Sequence, residues 1–444
     1  MKKRRILTLI LTVCLTCSLA CGCAETEVQT ALPNYNKEPS EIEKTLTGMD
    51  PSIDPEDYRG SVVKMVTWKD PWLSTDDVAT HEFEQELGIE VEPVLIGQGD
   101  YVKTIAATIA SRTQGDIFYE HGDFPSSLTV MQPLDAAMLD LSDPFWNQSI
   151  IKASTLRDRP YLVDSAVNVW SEIDVCVYNK HIFESAGLKT PKEYYAEGKW
   201  TVDNFRYAAQ QVSKLGKDYM GAGILGEGIL AIAGGGFFTY KDDRMTVSLA
   251  EHLFEVMDFF AEMKRDGIVK LDRGGFGEGK TGMAISHVFG LKRTGYFTQI
   301  NPDHLGVTYL PVWKEGERAK ITSLYRGWGL IDGAKNPVGA GLYLSYYLNN
   351  DRYDMETTFH NEDVAAFFFV ISEEGANDTI YYHGPNLVKA TGKGSNFHES
   401  WSNYAPDELR SYLESQRPVM NEMCIKANEI IEQKIEQLKE SEEN

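Results

Sequence analysis

Short runs of apolar, β-branched residues alternate along this chain with longer stretches whose apolar positions recur every three to four residues. Ser61 to Thr67 reads as a strand, and Ile89 to Ile96 as a second one in which Pro93 marks a bend or an edge. Asp116-Ile117-Phe118-Tyr119 opens a third strand directly after Gly115. Between the first two, Ser74 is placed to cap a helix whose inward positions are Val78, Phe83 and Leu87, and Gly88 ends it. Between the second and third, Asp100 opens a helix carrying Val102, Ile105, Ala106 and Ile109 on one stripe. The order βαβαβ predicts a parallel sheet covered by helices, an α/β fold.

The rhythm continues downstream. Ala166 to Tyr178 alternates like a strand and leads to Asn179-Lys180. Thr201 caps a helix carrying Phe205, Ala208, Ala209, Val212 and Leu215. Ser248 and Glu251 have the spacing of a capping box ahead of Leu253, Val256, Met257, Phe260 and Met263. Gly221 to Phe238, rich in glycine yet apolar, reads as a loop beside a cleft or a loose helix. From Val419 the tail is helical, with Ile430, Ile431, Ile435 and Leu438 at helical spacing. In open α/β sheets ligands lie beyond the carboxyl ends of the strands. Those ends are Trp68 to Trp72, Gly97 to Asp100, and Glu120 to Asp123, so Trp68, Asp70, Trp72 and Asp123 are placed on one binding surface by topology.

The first residues change the compartment. Lys2, Lys3, Arg4 and Arg5 precede an apolar run from Ile6 to Ala20, too short to span a bilayer comfortably and of the length of a secretory signal. Ser18-Leu19-Ala20-Cys21-Gly22-Cys23 resembles a bacterial lipobox, which implies a diacylglycerol on Cys21 or, alternatively, Cys23, and anchoring by its two chains. A plain signal peptide with incidental cysteines is the blander alternative. Residues 21–59 then read as a lipidated flexible tether, lacking apolar periodicity. With 43 basic against 66 acidic residues the formal charge of the 444-residue chain is −23, which disfavours nucleic acid as a partner. Of the six cysteines, Cys176 and Cys424 alone fall in the folded body. Two buried thiols are favoured there over a disulfide.

Several segments together resemble the family 1 extracellular solute-binding proteins that feed carbohydrate ABC transporters. They are Phe83 to Gly97, Asp100 to Phe124, Met131 to Leu141, and Val177 to Phe205 with its Tyr178-Asn179-Lys180 and Gly198-Lys199-Trp200-Thr201 signatures. Gly279 to Ser286, Val307 to Gly316 and Gly333 to Leu348 complete the set, whereas residues 351–418 match poorly. The resemblance implies a periplasmic-binding-protein-like (type II) clamshell, each of its two lobes a sheet flanked by helices. Lobe 1 would comprise 60–168 plus 330–400, and lobe 2 169–329 plus 401–444. It also implies a monomeric, non-catalytic receptor on the extracellular face of the cell membrane, which delivers a small carbohydrate to ABC permease subunits with no cofactor or metal.

By the same resemblance Asp123 and Glu172 match acidic positions used on sugar hydroxyls, and Phe289 matches a ring-stacking position. Trp68, Trp72, Trp170 and Trp328 are further ligand-contact candidates by position, each with lobe packing as its plainer role; Trp200 is assigned to packing. Sugars suit such a set, because rings cover their C–H faces while carboxylates pair with their hydroxyls. Two other functions compete: a secreted carbohydrate-active enzyme, which would need two positioned carboxylates, and capture of a non-sugar solute. Gly274 to Thr281 satisfies the G-x-x-x-x-G-K-[ST] pattern of a phosphate-binding loop. A true one needs a helix next, and Gly282 to Val288 reads as strand, which argues against nucleotide.

Overall fold

The computed structural model describes residues 46–68, 78–97, 101–167, 173–224, 226–250, 252–270, 275–292, 297–350, 359–382 and 406–443. Cys21, Cys23, Asp70, Ser74, Trp72, Trp170, Glu172 and Glu251 lie outside them, and with them the signal and anchor expected near the N-terminus.

Apart from the short antiparallel pair Thr155–Leu156 and Arg159–Pro160, the strands in chain order are β1 (Val62–Thr67), β2 (Glu90–Leu95), β3 (Ile117–His121), β4 (Met131–Gln132), β5 (Asp174–Asn179), β6 (Met220–Ile224), β7 (Phe238–Lys241) and β8 (Arg244–Val247). They continue with β9 (Val269–Lys270), β10 (Thr281–His287), β11 (Leu305–Thr308), β12 (Ile321–Leu324), β13 (Arg326–Ile331) and β14 (Thr379–Tyr382). One five-stranded sheet has the order β2-β1-β3-β13-β4, and a second has β9-β6-β10-β5-β11. Each is mixed. β1, β2 and β3 run parallel while β13 opposes both β3 and β4; β9, β6 and β10 run parallel while β5 opposes both β10 and β11. The parallel βαβαβ start expected from the sequence is therefore present, with helices α1 (Val78–Leu87) and α2 (Tyr101–Ala110) as its crossovers.

Strand alternation sends successive side chains to opposite faces, and both faces are covered. Val63 and Met65 of β1 join Ile117, Leu330 and Phe83 in one core cluster, while Val66 and Phe118 join Tyr101 and Ile105 of α2 in another. β5 is buried along its whole length. Val175 and Val177 pack with Phe368 and Ile371, while Cys176 and Tyr178 pack with Phe205 and Val212. A buried carboxylate fastens the first sheet. Asp116 accepts from the backbone N–H of Lys64 through Oδ2, and from those of Lys335 and Asn336 through Oδ1, each at 2.8 Å. It thereby ties β1 and β3 to the start of the helix Pro337–Asn350.

Four expectations change. Gly221 to Phe238, read as a loop or a loose helix, does contain a helix, Gly226–Ala233, but opens within the strand β6. A Cβ on Gly221 would come 2.4 Å from the Ala209 carbonyl oxygen, so glycine is what lets the helix Val202–Ser213 lie close against that strand. Ser248 does not cap the following helix, which begins only at Leu253 behind His252; its backbone N–H instead continues the hairpin by donating to the Phe237 carbonyl. The tail helix begins earlier than Val419 and spans Pro406–Glu443. The last part of the segment read as a tether is docked: the Trp146 indole N–H donates to Gly48 O at 3.0 Å, and Ser345 Oγ to Thr47 O at 2.6 Å.

The sequence leaves open to which lobe residues 351–418 belong, and one of their helices packs on the second sheet. The helix Glu362–Asp378 carries Val364, Phe368 and Ile371 into the core cluster of the second sheet. Apolar contact with β11 thus draws part of 330–400 away from the first sheet. The C-terminal helix packs against β8 and the helix Leu253–Arg265 on one side and against the turn Ser126–Val130 on the other.

Replacing Asp116 by Ala removes the acceptor of three partly buried N–H groups and should lower unfolding free energy by about 2–3 kcal/mol, with Asp116→Asn intermediate, as read by urea denaturation. Both body thiols, Cys176 and Cys424, are free and buried, and burial raises the Cys424 pKa to about 11 and the Cys176 pKa further still. They should resist Ellman's reagent in the native chain and react once guanidinium unfolds it.

Candidate functional site

The parallel strands of the first sheet end at Thr67, Leu95 and His121, and β13 starts beside them, with Arg326 opposite His121. In the second sheet β6 and β10 end at Ile224 and His287, and β5 starts beside them at Asp174. The short strand β12 joins the two regions. Its Thr322 hydroxyl reaches Asp174 Oδ2 at 3.4 Å, and two residues beyond its last position the chain is already at the mouth of the first sheet. The carboxyl ends of both sheets are thus linked by direct chain crossings, which is where open α/β sheets hold ligands.

At the first sheet's mouth the aromatic side chains form a row. Trp68 meets Tyr101 edge-on at 5.3 Å and Tyr119 at 6.2 Å; Tyr119 in turn meets Trp328 at 5.3 Å, and Trp328 meets Tyr347 at 6.3 Å. Tyr119 and Trp328 are direct cross-strand partners, which is why their rings share a face. Trp68, Tyr119 and Trp328 are all half-buried, so each keeps an accessible edge or face. The structure therefore brings together two of the expected rings, Trp68 and Trp328, through a tyrosine that the sequence reading passed over. A second aromatic group, deeper and closed, consists of Phe124 stacked on Tyr325 at 5.2 Å, with Tyr240 and Tyr381 against them.

Asp123 lies in the turn after β3, half-buried, with its backbone carbonyl accepting from Ser126 N at 2.8 Å. The turn is held by Glu120, which is 1% exposed. One carboxyl oxygen of Glu120 accepts from Gly122 N at 2.9 Å and the other from Asp123 N at 2.5 Å. Burial, and then the nearby Asp123 carboxylate, push the Glu120 pKa up to about 8, against the pull of backbone N–H donors from Gly122, Asp123 and Phe124. Tyr101 packs beside it and donates its hydroxyl to Val66 O at 2.6 Å; burial raises its pKa too. The signal for Glu120 was present in the sequence. It is an acidic residue two positions after Phe118, on the inward face of an apolar strand.

At the second sheet's mouth Phe289 lies in the turn Val288–Leu291 directly after β10, half-buried, and is not part of the row just described. Next to it, His287 Nδ1 stands 3.3 Å from Asp174 Oδ1, both residues buried. Neither was singled out from sequence, because a histidine at a strand end carries no distinguishing pattern. Asp70, Trp72, Trp170 and Glu172 fall outside the described residues. Trp200 is buried, and its indole N–H donates to Tyr309 O at 2.9 Å, which is a packing role. The phosphate-loop pattern leads into β10, a fully buried strand, so no helix N-terminus follows Lys280. Lys217, Lys270 and Lys280 instead border a surface cavity of about 370 Å³ together with Asp218 and Glu278. Among the described residues no group of three metal-ligating side chains converges, and no helix is long and apolar enough to cross a membrane.

Comparison with known proteins matches this arrangement. In fold the chain is similar to the galacto-N-biose/lacto-N-biose I-binding protein of an ABC transporter from Bifidobacterium longum, in complex with lacto-N-biose. That likeness has 15% identity and a TM-score of 0.62, over 84% of this chain and 99% of that one. It is similar to the extracellular solute-binding protein from Staphylococcus aureus in complex with maltose, at 18% identity and a TM-score of 0.54, over 86% and 99% of the two chains. The sugar-binding protein MalE from Xanthomonas citri shares 12% identity with a TM-score of 0.56, over 85% of this chain and 99% of that one. These likenesses establish the periplasmic-binding-protein type II fold. No curated protein sequence matches the chain. Residues 65–352 match the family model of the bacterial extracellular solute-binding proteins, which bind solutes without transforming them, and the chain belongs to that family.

Proposed function

We propose that the chain is the carbohydrate-capturing receptor of an ABC importer, taking an oligosaccharide between the mouths of its two sheets and passing it intact to the permease. The observation that carries this reading is the half-buried row Trp68–Tyr119–Trp328 beside the Asp123 turn, at the carboxyl end of the first sheet. A pyranose presents flat C–H patches and a rim of hydroxyls; rings cover the former and carboxylates accept from the latter. The ligands named for the similar structures, lacto-N-biose and maltose, are of this chemical kind. Phe289, at the opposite mouth, supplies a ring from the second sheet. Asp70, Trp72, Trp170 and Glu172 complete the proposed contact set on the strength of their positions in the sequence. The expected lobe bodies, 60–168 and 169–329, meet at the crossing near residues 324–326, beyond which the chain already belongs to the first sheet, and they close over the solute about it. Upstream, Cys21 or Cys23 carries the lipid that keeps the receptor at the outer face of the cell membrane.

Calorimetric titration of the purified chain with a panel containing maltose and lacto-N-biose should give saturable one-site heats with at least one sugar. Trp68→Ala and Trp328→Ala should each weaken that binding by between about twofold and tenfold. Asp123→Asn should weaken it by about tenfold to a hundredfold, because a hydrogen bond to a charged acceptor is lost. Silence across sugars, with saturation by an amino acid or peptide, would move the receptor to another solute class. Radiolabelled fatty acid fed to expressing cells should enter the protein and be lost in Cys21→Ser or in Cys23→Ser; label in neither the parent nor the variants would rule out the anchor.

A further inference from the structure

The Glu120 carboxyl does not reach solvent, so it cannot touch a solute, yet both of its oxygens are spent on the turn that carries Asp123. An acidic side chain at an inward strand position is costly to bury, and the apolar neighbours Phe118 and Phe124 would be better served by an apolar residue. The turn explains its presence. Gly122 has a φ of +84°, and the N–H groups of Gly122 and Asp123 both turn back to the strand and donate to the Glu120 carboxyl. A two-oxygen acceptor on a two-methylene arm collects both.

We propose that Glu120 is a positioning residue for solute capture: by gathering the Gly122 and Asp123 amides it fixes the direction in which Asp123 presents its carboxylate at the end of β3. This rests on the reading of Asp123 as a solute contact. Among the described residues the titratable groups facing Glu120 are Asp123 in its own turn, Tyr101 from α2 and Tyr325 from the segment entering β13. Both tyrosines have raised pKa values through burial and remain neutral, so the only charge that Glu120 meets from these three is that of Asp123. With its pKa near 8, Glu120 holds a proton at neutral pH and leaves Asp123 as the anion. The same proton supports the fold. A carboxyl whose pKa rises on folding, here from 4.5 to about 8, contributes stability that is full below 4.5 and is lost as the pH climbs through 8.

The test compares the full chain with its Glu120→Gln, Glu120→Asp and Asp123→Asn variants and the Gln–Asn double variant. Without ligand, hydrogen exchange at the Gly122 and Asp123 amides should be about tenfold or more faster in both Glu120 variants. The loss of stability with rising pH between 4.5 and about 8 should be shallower in Glu120→Gln. Amides that exchange at the parent rate in both variants overturn the proposal. With maltose and lacto-N-biose as probes, Glu120→Gln should weaken binding about tenfold, yet add nothing in the Asp123→Asn background. Losses that add also overturn it. If neither sugar binds the parent, the carbohydrate reading fails for these probes and the exchange result alone decides the role of Glu120.

Discussion

A single buried carboxylate, that of Asp116, makes the first sheet's geometry possible. Its oxygens take the amide of Lys64 and those of the consecutive Lys335 and Asn336, so that three stretches of chain far apart in sequence, its own included, meet at one side chain. Backbone donors buried at a strand start must find acceptors, and here they find one side chain instead of three separate solutions. Because β1, β3 and the helix Pro337–Asn350 are thereby held in one relation, the opposite ends of those strands are held as well. The aromatic row and the Asp123 turn inherit their placement from an interaction at the far end of the same strands.

The two ends of β3 use the same device for different purposes. At the beginning, Asp116 is an acceptor for neighbouring segments and serves the fold. At the end, Glu120 is an acceptor for its own turn and serves the site. Between them Phe118 and Ile117 fill opposite cores. Five consecutive positions therefore carry a fastening, a packing pair, a half-buried ring in Tyr119 and an orienting acid. Tyr119 and Glu120 point to opposite faces, so the ring joins the accessible row while the acid remains enclosed.

Much of this was legible in the order of residues. The βαβαβ beginning, the Thr201 cap and the strand at Thr281 follow from period and capping chemistry, and Thr201 does accept from Asn204 N at 3.3 Å. What escaped the sequence was set by distant partners. Gly221 lies in a strand because a helix backbone presses on it, and nothing local to Gly-Ala-Gly reports that pressure. Ser248 has a capping-box spacing, but the helix begins only at Leu253 and the Ser248 amide continues the hairpin. For the site, Trp68 and Trp328 could be chosen as bulky rings near strand ends, whereas Tyr119 became visible only when the antiparallel register placed it across from Trp328. Glu120 was discernible as an acid on an apolar face, yet its purpose depended on a turn that periodicity does not describe.

The C-terminal helix has an effect on how this molecule meets its neighbours in a crowded envelope. Asn428 donates to Met245 O at 2.9 Å and accepts from Met245 N at 2.8 Å, so its amide stands in for the peptide group of a further strand. A two-stranded ribbon ordinarily offers such unpaired groups as a template for other chains to add to. Here the outer rim of β8 is already occupied at its middle by a side chain that cannot be extended into a sheet, and an uncapped template for strand-by-strand aggregation is withheld without lengthening the hairpin by a residue.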